Sequence, residues 1–372
     1  MLPVSGQWAV RNPGRRTMRA TKMDDTIVIS GRRIGARQPC FVIAEAGVNH
    51  NGDPELALAL VEAAAAAGAD AVKFQTFRAD AVAASTAPKA AYQLAATDAG
   101  ESQVAMLARL ELTPDTFAVL KRETERRGLL FLSTPFDRGS VDLLDRLGVH
   151  AFKVASPDLT NLLLLAEIGR TGKPVLLSTG IGTLDEVEAG FRALIAAGAP
   201  GVVVLHCVSD YPAAAEDANL RAMATMAERL HCPIGYSDHT DGIEIALAAV
   251  ALGACVLEKH FTLDRSLPGP DQRASLEPGE FVELVAGVRR VEAALGSGAK
   301  EPTDAELRNA PLVRRSLAAA QELPAGAVLT ATMLTALRPG TGVSPSRVDE
   351  VIGRRLVRSL ARHELLELDD LE

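Results

Sequence analysis

Short apolar runs rich in β-branched residues alternate with longer Ala- and Leu-rich stretches from Pro39 onward. Runs of this length, closed by glycine or polar residues, predict buried strands, and the stretches between them predict helices. The runs cover residues 40–46, 71–76, 129–135, 151–156, 174–180, 202–209, 233–239 and 255–261. This alternation predicts repeated βα units and a parallel sheet.

The number of runs selects one α/β architecture over another. Eight strands, each followed by a helix over about 250 residues, form a (β/α)8 TIM barrel. A doubly wound open sheet is the alternative, but the first βα turn lacks the GxGxxG pattern that often accompanies it. The overlong connection at 77–128 predicts an extra short helix or lid around 91–107, ahead of a barrel helix near 114–127.

Composition changes mark the ends of the predicted barrel domain, residues 26–295. Residues 1–25 contain basic side chains but no continuous apolar segment, so we interpret them as a disordered tail and not as a secretory signal. Residues 296–311 are polar with Gly and Pro, which is typical of a linker. The remaining residues, 312–372, predict a small β-rich C-terminal domain.

Overall composition excludes several functional classes. Hydrophobic residues make up 48% of the chain but aromatic residues only 4%, which favours a core of Ala, Val, Leu and Ile. The net charge of −8 argues against binding to nucleic acid or to an anionic membrane. Four cysteines without a CxxC pair, and no apolar run near the ~20 residues of a membrane span, predict a cytoplasmic protein with buried thiols.

Polar residues close the predicted strands, where barrels carry their active sites. His239 and His260 end the last two runs, on strands expected to lie about 4.8 Å apart. Two imidazoles at that spacing could bind one divalent ion. The alternative is a pair of unrelated, hydrogen-bonded histidines.

Two lysines, Lys73 and Lys153, lie within otherwise apolar runs. A lysine that points into a barrel needs a compensating anion or a lowered pKa, unless its ammonium reaches solvent at the strand end. Hydroxyl groups lie at the same rim of the predicted barrel, at Thr134, Ser156, Ser178, Thr179 and Ser237. Together these groups predict a local site for a phosphate or a carboxylate.

Two carboxylates are candidates for proton transfer. Glu45 ends the first run on its inward face and is a candidate general base, with a salt bridge to one of the lysines as the alternative. Asp271 follows the last strand in a loop rigidified by Pro and Gly. It is a second candidate, although carboxylates in loops are usually solvated.

Taken together, these motifs resemble those of the sialic acid (nonulosonic acid) synthases, which condense phosphoenolpyruvate with an N-acetylated hexose. The resemblance covers nearly everything from Phe41 onward. It rests on FVIAEAGVNHNGD at 41–53, AVKFQTF at 71–77, FLSTPFD at 131–137, FKVAS at 152–156, LSTG at 177–180, LHCVSDYPA at 205–213, GYSDHT at 235–240, EKHFTLDRSLPGPD at 258–271 and LRPGTGVSP at 337–345.

The resemblance implies a role for each matching residue. Phosphoenolpyruvate would be surrounded by Lys73, Gln75, Thr134, Lys153, Ser156, Ser209 and Ser237. His239 and His260 would bind a divalent metal, Mn²⁺ in the first place and Mg²⁺ or Co²⁺ as alternatives. Tyr211, Asp271 and Arg338 would face the sugar, and Glu45, helped by Asp271, would move the protons.

The C-terminal segment resembles the family's antifreeze-like (SAF) domain. That resemblance implies a domain-swapped homodimer in which Arg338 reaches the barrel of the partner subunit. The stretch at 87–103 is more similar to the legionaminic acid branch, with a 2,4-diacetamido-2,4,6-trideoxyhexose as acceptor, than to the branch that uses N-acetylmannosamine. Two alternatives remain, a Schiff-base aldolase using Lys153 or Lys73 and a non-catalytic saccharide-binding protein.

Overall fold

A computed structural model describes residues 26–90, 93–94, 97–98 and 100–372. The predicted tail at 1–25 and part of the predicted lid lie outside the described residues. The chain divides into two compact units, Met1–Gly296 and Ser297–Glu372. Among the described residues, no helix is long and apolar enough to cross a membrane.

Eight parallel strands build the first unit. A hairpin of β1 (Thr26–Ile29) and β2 (Arg32–Gly35) precedes them. The strands are β3 (Phe41–Gly47), β4 (Ala71–Thr76), β5 (Leu130–Pro135), β6 (Phe152–Val154), β7 (Val175–Ser178), β8 (Val202–Cys207), β9 (Ile234–Asp238) and β10 (Val256–His260). Each lies within its predicted run, except that β3 continues one residue further, to Gly47.

The order of these strands closes them into a barrel. Hydrogen-bonded ladders run from β5 through β4, β3, β10, β9, β8 and β7 to β6. The two ends of this series, β5 and β6, lie against each other. The predicted TIM-like barrel is therefore confirmed, and the doubly wound open sheet is excluded.

Helices connect the strands and cover the outside of the barrel. They are α1 (Pro54–Ala66), α2 (Ala79–Val82), α3 (Gln103–Ala108), α4 (Pro114–Arg126), α5 (Arg138–Arg146), α6 (Leu162–Arg170), α7 (Leu184–Ala197), α8 (Ala222–Leu230), α9 (Glu244–Ala251) and α10 (Pro278–Leu295). The start of α1 shows why they form where they do. Asp53 accepts the backbone N–H groups of Glu55 and Leu56, and Pro54 occupies the first turn, where its missing N–H is not needed.

Apolar side chains fill the end of the barrel at which the strands begin. Ile27, Ile29 and Ile34 of the β1–β2 hairpin are buried in one cluster with inward residues of the barrel strands. Those strand residues include Phe41, Ile43, Leu132, Leu176, Val203, Leu205 and Val256. The hairpin thus closes the amino-terminal end of the barrel, and the polar inward residues are confined to the carboxyl end.

The second unit is small and poor in regular structure. It contains α11 (Asp304–Val313), the antiparallel strands β11 (Ser316–Ala319) and β12 (Leu334–Leu337), and α12 (Val348–Val351), around a core of its own. Part of the predicted linker at 296–311 is therefore helical. Thr303 and Glu306 form a capping box that starts α11, a local signal that the polar composition of this stretch concealed.

Replacing Ile34 with alanine tests whether the hairpin supports the barrel. Ile34 is fully buried, so Ile34→Ala should lower the free energy of unfolding of the barrel unit by about 2–5 kcal/mol. Val28, on the same hairpin, is 54% exposed. Val28→Ala should therefore change the free energy of unfolding by less than about 0.5 kcal/mol. Urea unfolding followed by circular dichroism measures both, and equal effects would contradict this packing.

Candidate functional site

A cavity of about 580 Å³ opens at the carboxyl ends of the barrel strands. Its walls contain every predicted site residue of the barrel except Ser209, namely Glu45, Lys73, Gln75, Thr134, Lys153, Ser156, Tyr211, Ser237, His239, His260 and Asp271. A larger cavity, of about 710 Å³, lies at the opposite ends of β9 and β10, beside Cys232 and Cys255, and its walls carry none of these residues. The predicted site residues are therefore concentrated in the smaller cavity.

Both strand lysines are buried inside the barrel and do not reach solvent. Lys73 Nζ lies 2.9 Å from Glu45 Oε1 and 3.1 Å from Thr134 Oγ1. Lys153 Nζ donates a hydrogen bond of 2.7 Å to Ser178 Oγ. Burial lowers the pKa of Lys153, whereas for Lys73 the nearby carboxylates outweigh burial and the pKa is raised.

Glu258 on β10 links the two lysines. Its Oε1 lies 3.4 Å from Lys153 Nζ and accepts a 2.8 Å hydrogen bond from Ser237, and its Oε2 lies 3.6 Å from Lys73 Nζ. The predicted set of site residues omitted Glu258. Its inward parity with His260 was visible in the sequence, but its contacts with β4 and β6 depend on closure of the barrel.

The two buried glutamates have pKa values shifted in opposite directions. Burial raises the pKa of Glu45, and Lys73 only partly opposes that shift. Burial acts on Glu258 in the same sense, but Lys153 and Lys73 together hold its pKa well below the ordinary value. Glu258 is thus the permanent anion of this cluster and Glu45 is the group suited to exchange a proton.

Asp271 is buried beside Glu45, although it lies in a loop. Burial raises its pKa to about 6. Gly47, with φ of +53°, separates the two carboxyl groups: a Cβ at this position would lie 3.2 Å from Glu45 Oε1 and 3.7 Å from Asp271 Oδ2. The absence of a side chain at Gly47 keeps open the space that both carboxyl groups face.

Hydroxyl and thiol groups surround Gly180, which follows β7. Ser156 Oγ accepts the Gly180 N–H at 3.0 Å and lies 3.0 Å from Cys207 Sγ. Ser209 belongs to this group although it does not line the cavity, because a Cβ on Gly180 would lie only 2.1 Å from Ser209 Oγ. A side chain at Gly180 would therefore displace two predicted ligands of phosphoenolpyruvate.

The imidazoles of His239 and His260 come together, with ring centroids 5.3 Å apart. His239 Nδ1 lies 2.5 Å from the carbonyl oxygen of Val208. A carbonyl oxygen only accepts, so Nδ1 carries the proton and Nε2 keeps a free lone pair. Burial lowers the pKa of both histidines, to about 4 for His239, which keeps the rings neutral.

This pair of histidines offers two nitrogen ligands to a divalent metal, whose other ligands would have to come from substrate or water. His260 Nδ1 is buried without a hydrogen-bond partner in the described part of the chain. A neutral imidazole whose other nitrogen is held by a carbonyl is the usual state of a histidine ligand. The described residues contain no group of three or more His, Cys, Asp or Glu side chains arranged to hold a metal. Tyr211 packs beside the pair, with its ring centroid 4.2 Å from that of His239.

Arg338 lies in the second unit, between β12 and Pro339. Its Nε donates a hydrogen bond of 3.0 Å to the carbonyl oxygen of Val313, and the side chain is otherwise exposed. The predicted approach of Arg338 to a barrel stays a prediction.

Several buried polar atoms around these strand ends lack hydrogen-bond partners among the described residues. They are Glu45 Oε2, Glu258 Oε2, Ser209 Oγ and His260 Nδ1. Unpaired buried polar atoms are costly, and a cluster of them marks a place where a bound group completes the hydrogen bonding. Fold and cavity together define a barrel protein in which buried lysines and hydroxyl groups lie beside a pair of histidines.

Comparison with known proteins identifies the family. A NeuB family model matches residues 60–300, and a SAF domain model matches residues 314–372. The chain is 44% identical to the N,N'-diacetyllegionaminic acid synthase of Legionella pneumophila over 342 residues, which cover 91% of this chain and 96% of that protein. The corresponding synthase of Campylobacter jejuni is also 44% identical, over 88% of this chain and 98% of its own length.

A crystal structure supports the same assignment. The N-acetylneuraminic acid (sialic acid) synthetase of Leptospira borgpetersenii, in complex with citrate, is 37% identical and superposes with a TM-score of 0.68. The match covers 76% of this chain and 94% of that one. The protein therefore belongs to the NeuB family of sialic acid synthases and carries a C-terminal SAF domain, as the sequence motifs predicted.

Replacing Asp271 with asparagine should stabilise the protein at neutral and alkaline pH. Because burial raises the pKa of Asp271 from 3.8 to about 6, its favourable contribution is complete below pH ~4 and is lost as the pH rises through ~6. Asp271→Asn removes this loss, which is worth up to about 3 kcal/mol at pH 8. Urea unfolding at pH 4 and pH 8 should show no difference from the parent at pH 4 and the full gain at pH 8.

Asp142, which is exposed on α5, supplies the control for this measurement. Asp142→Asn should change the free energy of unfolding by less than about 0.5 kcal/mol at either pH. A destabilised Asp271→Asn variant at pH 8 would contradict the burial of an ionised carboxylate at this position.

Proposed function

We propose that this protein condenses phosphoenolpyruvate with an N-acetylated amino-hexose, giving a nine-carbon 2-keto acid and inorganic phosphate. The main supporting observation is that two buried lysines, a ring of hydroxyl groups and two carboxyl groups with raised pKa values converge on one cavity beside two neutral histidines. Family membership agrees with this activity, since the two relatives at 44% identity are named as N,N'-diacetyllegionaminic acid synthases.

Phosphoenolpyruvate would be held by the positive side of the cavity. Lys73 and Lys153 are offset by Glu258, so protonation of Glu45 leaves one net positive charge on the four groups. Donors from Thr134, Ser156, Ser178 and Ser237, together with Gln75, would orient the carboxylate and the phosphate. The lysines would then stabilise the negative charge of the departing phosphate.

His239 and His260 would hold a divalent metal, with Mn²⁺ the first candidate and Mg²⁺ or Co²⁺ as alternatives. When bound, such an ion supplies a Lewis acid that polarises the aldehyde of the acceptor sugar. Tyr211, whose ring packs at a tilt against His239, would form the adjoining wall of the sugar site.

Glu45 and Asp271 would transfer protons during the reaction. After the carbon–carbon bond forms, water adds at C2 of the former phosphoenolpyruvate and phosphate leaves. Both carboxyl groups face the space above Gly47, and both have raised pKa values, so each can take up and return a proton near neutral pH.

We infer from the connection at 77–112 that the acceptor is unphosphorylated and carries apolar substituents. Three cations of this connection are already paired: Lys89 and Arg109 contact Glu101, and Arg78 contacts Asp80 and Glu111. The cavity wall on this side is formed by Phe77, Val82, Gln93, Gln103, Met106, Leu107 and Leu110. Acetamido methyl groups and a deoxy C6 suit such a wall, and the Legionella relative is named for a diacetylated product. We therefore propose a 2,4-diacetamido-2,4,6-trideoxymannose as acceptor, in preference to N-acetylmannosamine.

Release of inorganic phosphate from phosphoenolpyruvate tests this function. With Mn²⁺ present, the diacetamido sugar should support faster release than N-acetylmannosamine, and no release should occur without an acceptor. His239→Ala should reduce the rate by at least about 100-fold, because the acceptor aldehyde is no longer polarised. His150→Ala, at an exposed histidine of the same barrel, is the matched control and should keep full activity.

Two results would favour the alternative functions. Burial lowers the pKa of Lys153, which is the direction that favours a Schiff-base lysine. Trapping of a substrate adduct on Lys153 by borohydride, with activity surviving chelation, would therefore support an aldolase. Saccharide binding without phosphate release under any condition would support a non-catalytic protein.

We further propose a domain-swapped homodimer, in which Arg338 has a role in acceptor binding. If Arg338 reaches the partner's barrel, Arg338→Ala should raise KM for the sugar about 10-fold or more while KM for phosphoenolpyruvate changes little. Arg355→Ala, at another partly exposed arginine of the C-terminal unit, should leave both constants unchanged. Unaltered kinetics of Arg338→Ala would remove the C-terminal unit from the acceptor site.

A further inference from the structure

A fully buried ion pair joins the two strands that carry the paired histidines. Asp238 ends β9 and Lys259 lies on β10, and both side chains are 0% exposed. The two residues are direct partners in the parallel ladder, and Lys259 Nζ lies 2.7 Å from Asp238 Oδ2. Each residue immediately precedes one of the histidines in the sequence.

The ion pair also fixes the turn that follows β9. Lys259 Nζ donates a second hydrogen bond to the carbonyl oxygen of Thr240. Asp238 Oδ1 accepts the Thr240 N–H at 3.0 Å and the Thr240 hydroxyl at 2.8 Å. His239 is thus flanked on both sides by residues tied to Lys259, while Lys259 is bonded covalently to His260.

Stability alone does not explain these contacts. Removing two charges from water costs several kcal/mol for each ion, and a buried ion pair is often no more stabilising than apolar residues of similar volume. Side chains of successive strand residues point to opposite faces, so Asp238 and Lys259 lie on the face away from Ser237 and Glu258. They have no access to a ligand in the cavity.

We propose that Asp238 and Lys259 are positioning residues, which hold the imidazoles of His239 and His260 at the separation required to share one divalent ion. The proposal rests on the metal site proposed above. Without Lys259, the turn at Thr240 loses its link to β10, and His239 is then held only from the β8 side, through Val208 and Ala213. The bridge between Ala213 and Thr240 and the hydrogen bond from Ala213 N–H to the carbonyl of His239 would remain, so the barrel should still close.

A double variant tests the positioning role. Asp238→Asn combined with Lys259→Met removes both charges together and leaves neither unpaired, and the asparagine can still accept from Thr240. Its affinity for Mn²⁺, measured on the full-length protein by electron paramagnetic resonance, should fall about 10–100-fold. Its far-ultraviolet circular dichroism should match that of the parent. In the metal-free protein, the ¹⁵N resonances of the His239 ring should shift and broaden.

A matched control uses an ion pair at the other end of the barrel. Asp70 and Arg289 lie 2.9 Å apart, away from the cavity. Asp70→Asn combined with Arg289→Met should leave Mn²⁺ affinity and the imidazole resonances unchanged. A merely structural role for Asp238 and Lys259 predicts the same result for both pairs, with an altered melting temperature but parental affinity in the folded protein.

Each remaining outcome also decides the question. Parental Mn²⁺ affinity in the folded double variant would overturn the positioning role and leave the metal site intact. Absence of Mn²⁺ binding by the parent would overturn the metal site itself, and with it this role. If the double variant does not fold, Lys259→Arg, which keeps the charge but changes the geometry, takes its place; parental affinity and unshifted imidazole resonances would then overturn the proposal.

Discussion

Four charged groups, Lys73, Lys153, Glu45 and Glu258, lie inside the barrel, where water cannot solvate them. Ionised groups in such a place must compensate one another, and Glu258 does so by contacting both lysines. Much of the site depends on this compensation. It holds Lys73 in its charged form, and it lowers the pKa of Glu258 while the pKa of Glu45 stays raised.

The charged cluster is possible because the two ends of the barrel are built differently. The hairpin and the inward apolar residues fill the amino-terminal end, so apolar burial inside the barrel is concentrated there. The carboxyl end can then carry unpaired polar atoms and carboxylates with raised pKa values, which reduce stability but leave groups free for the anion proposed to bind there. Asp271 illustrates this division, since its burial is unfavourable at neutral pH and places a proton acceptor beside Glu45.

A second layer of interactions supports the cavity from outside. The Asp238–Lys259 pair is placed between the strands that present the histidines, and Gly47 and Gly180 keep space free next to the reactive groups. On the role proposed for this pair, the outward face of β9 and β10 also contributes to the geometry of the site. Together these features connect the packing of the barrel to the function proposed for the NeuB family member described here.

By itself, the sequence determined the eight strands, the parity of the residues that close them, and the family, because strand periodicity and local motifs are properties of neighbouring residues. The tertiary structure decided which of these residues meet. Glu258 contacts lysines that are far away in the sequence, Asp271 is buried although it lies in a loop, and α11 occupies part of the stretch predicted as a linker. Such contacts and burials depend on closure of the barrel and on packing between distant segments, which no local pattern encodes.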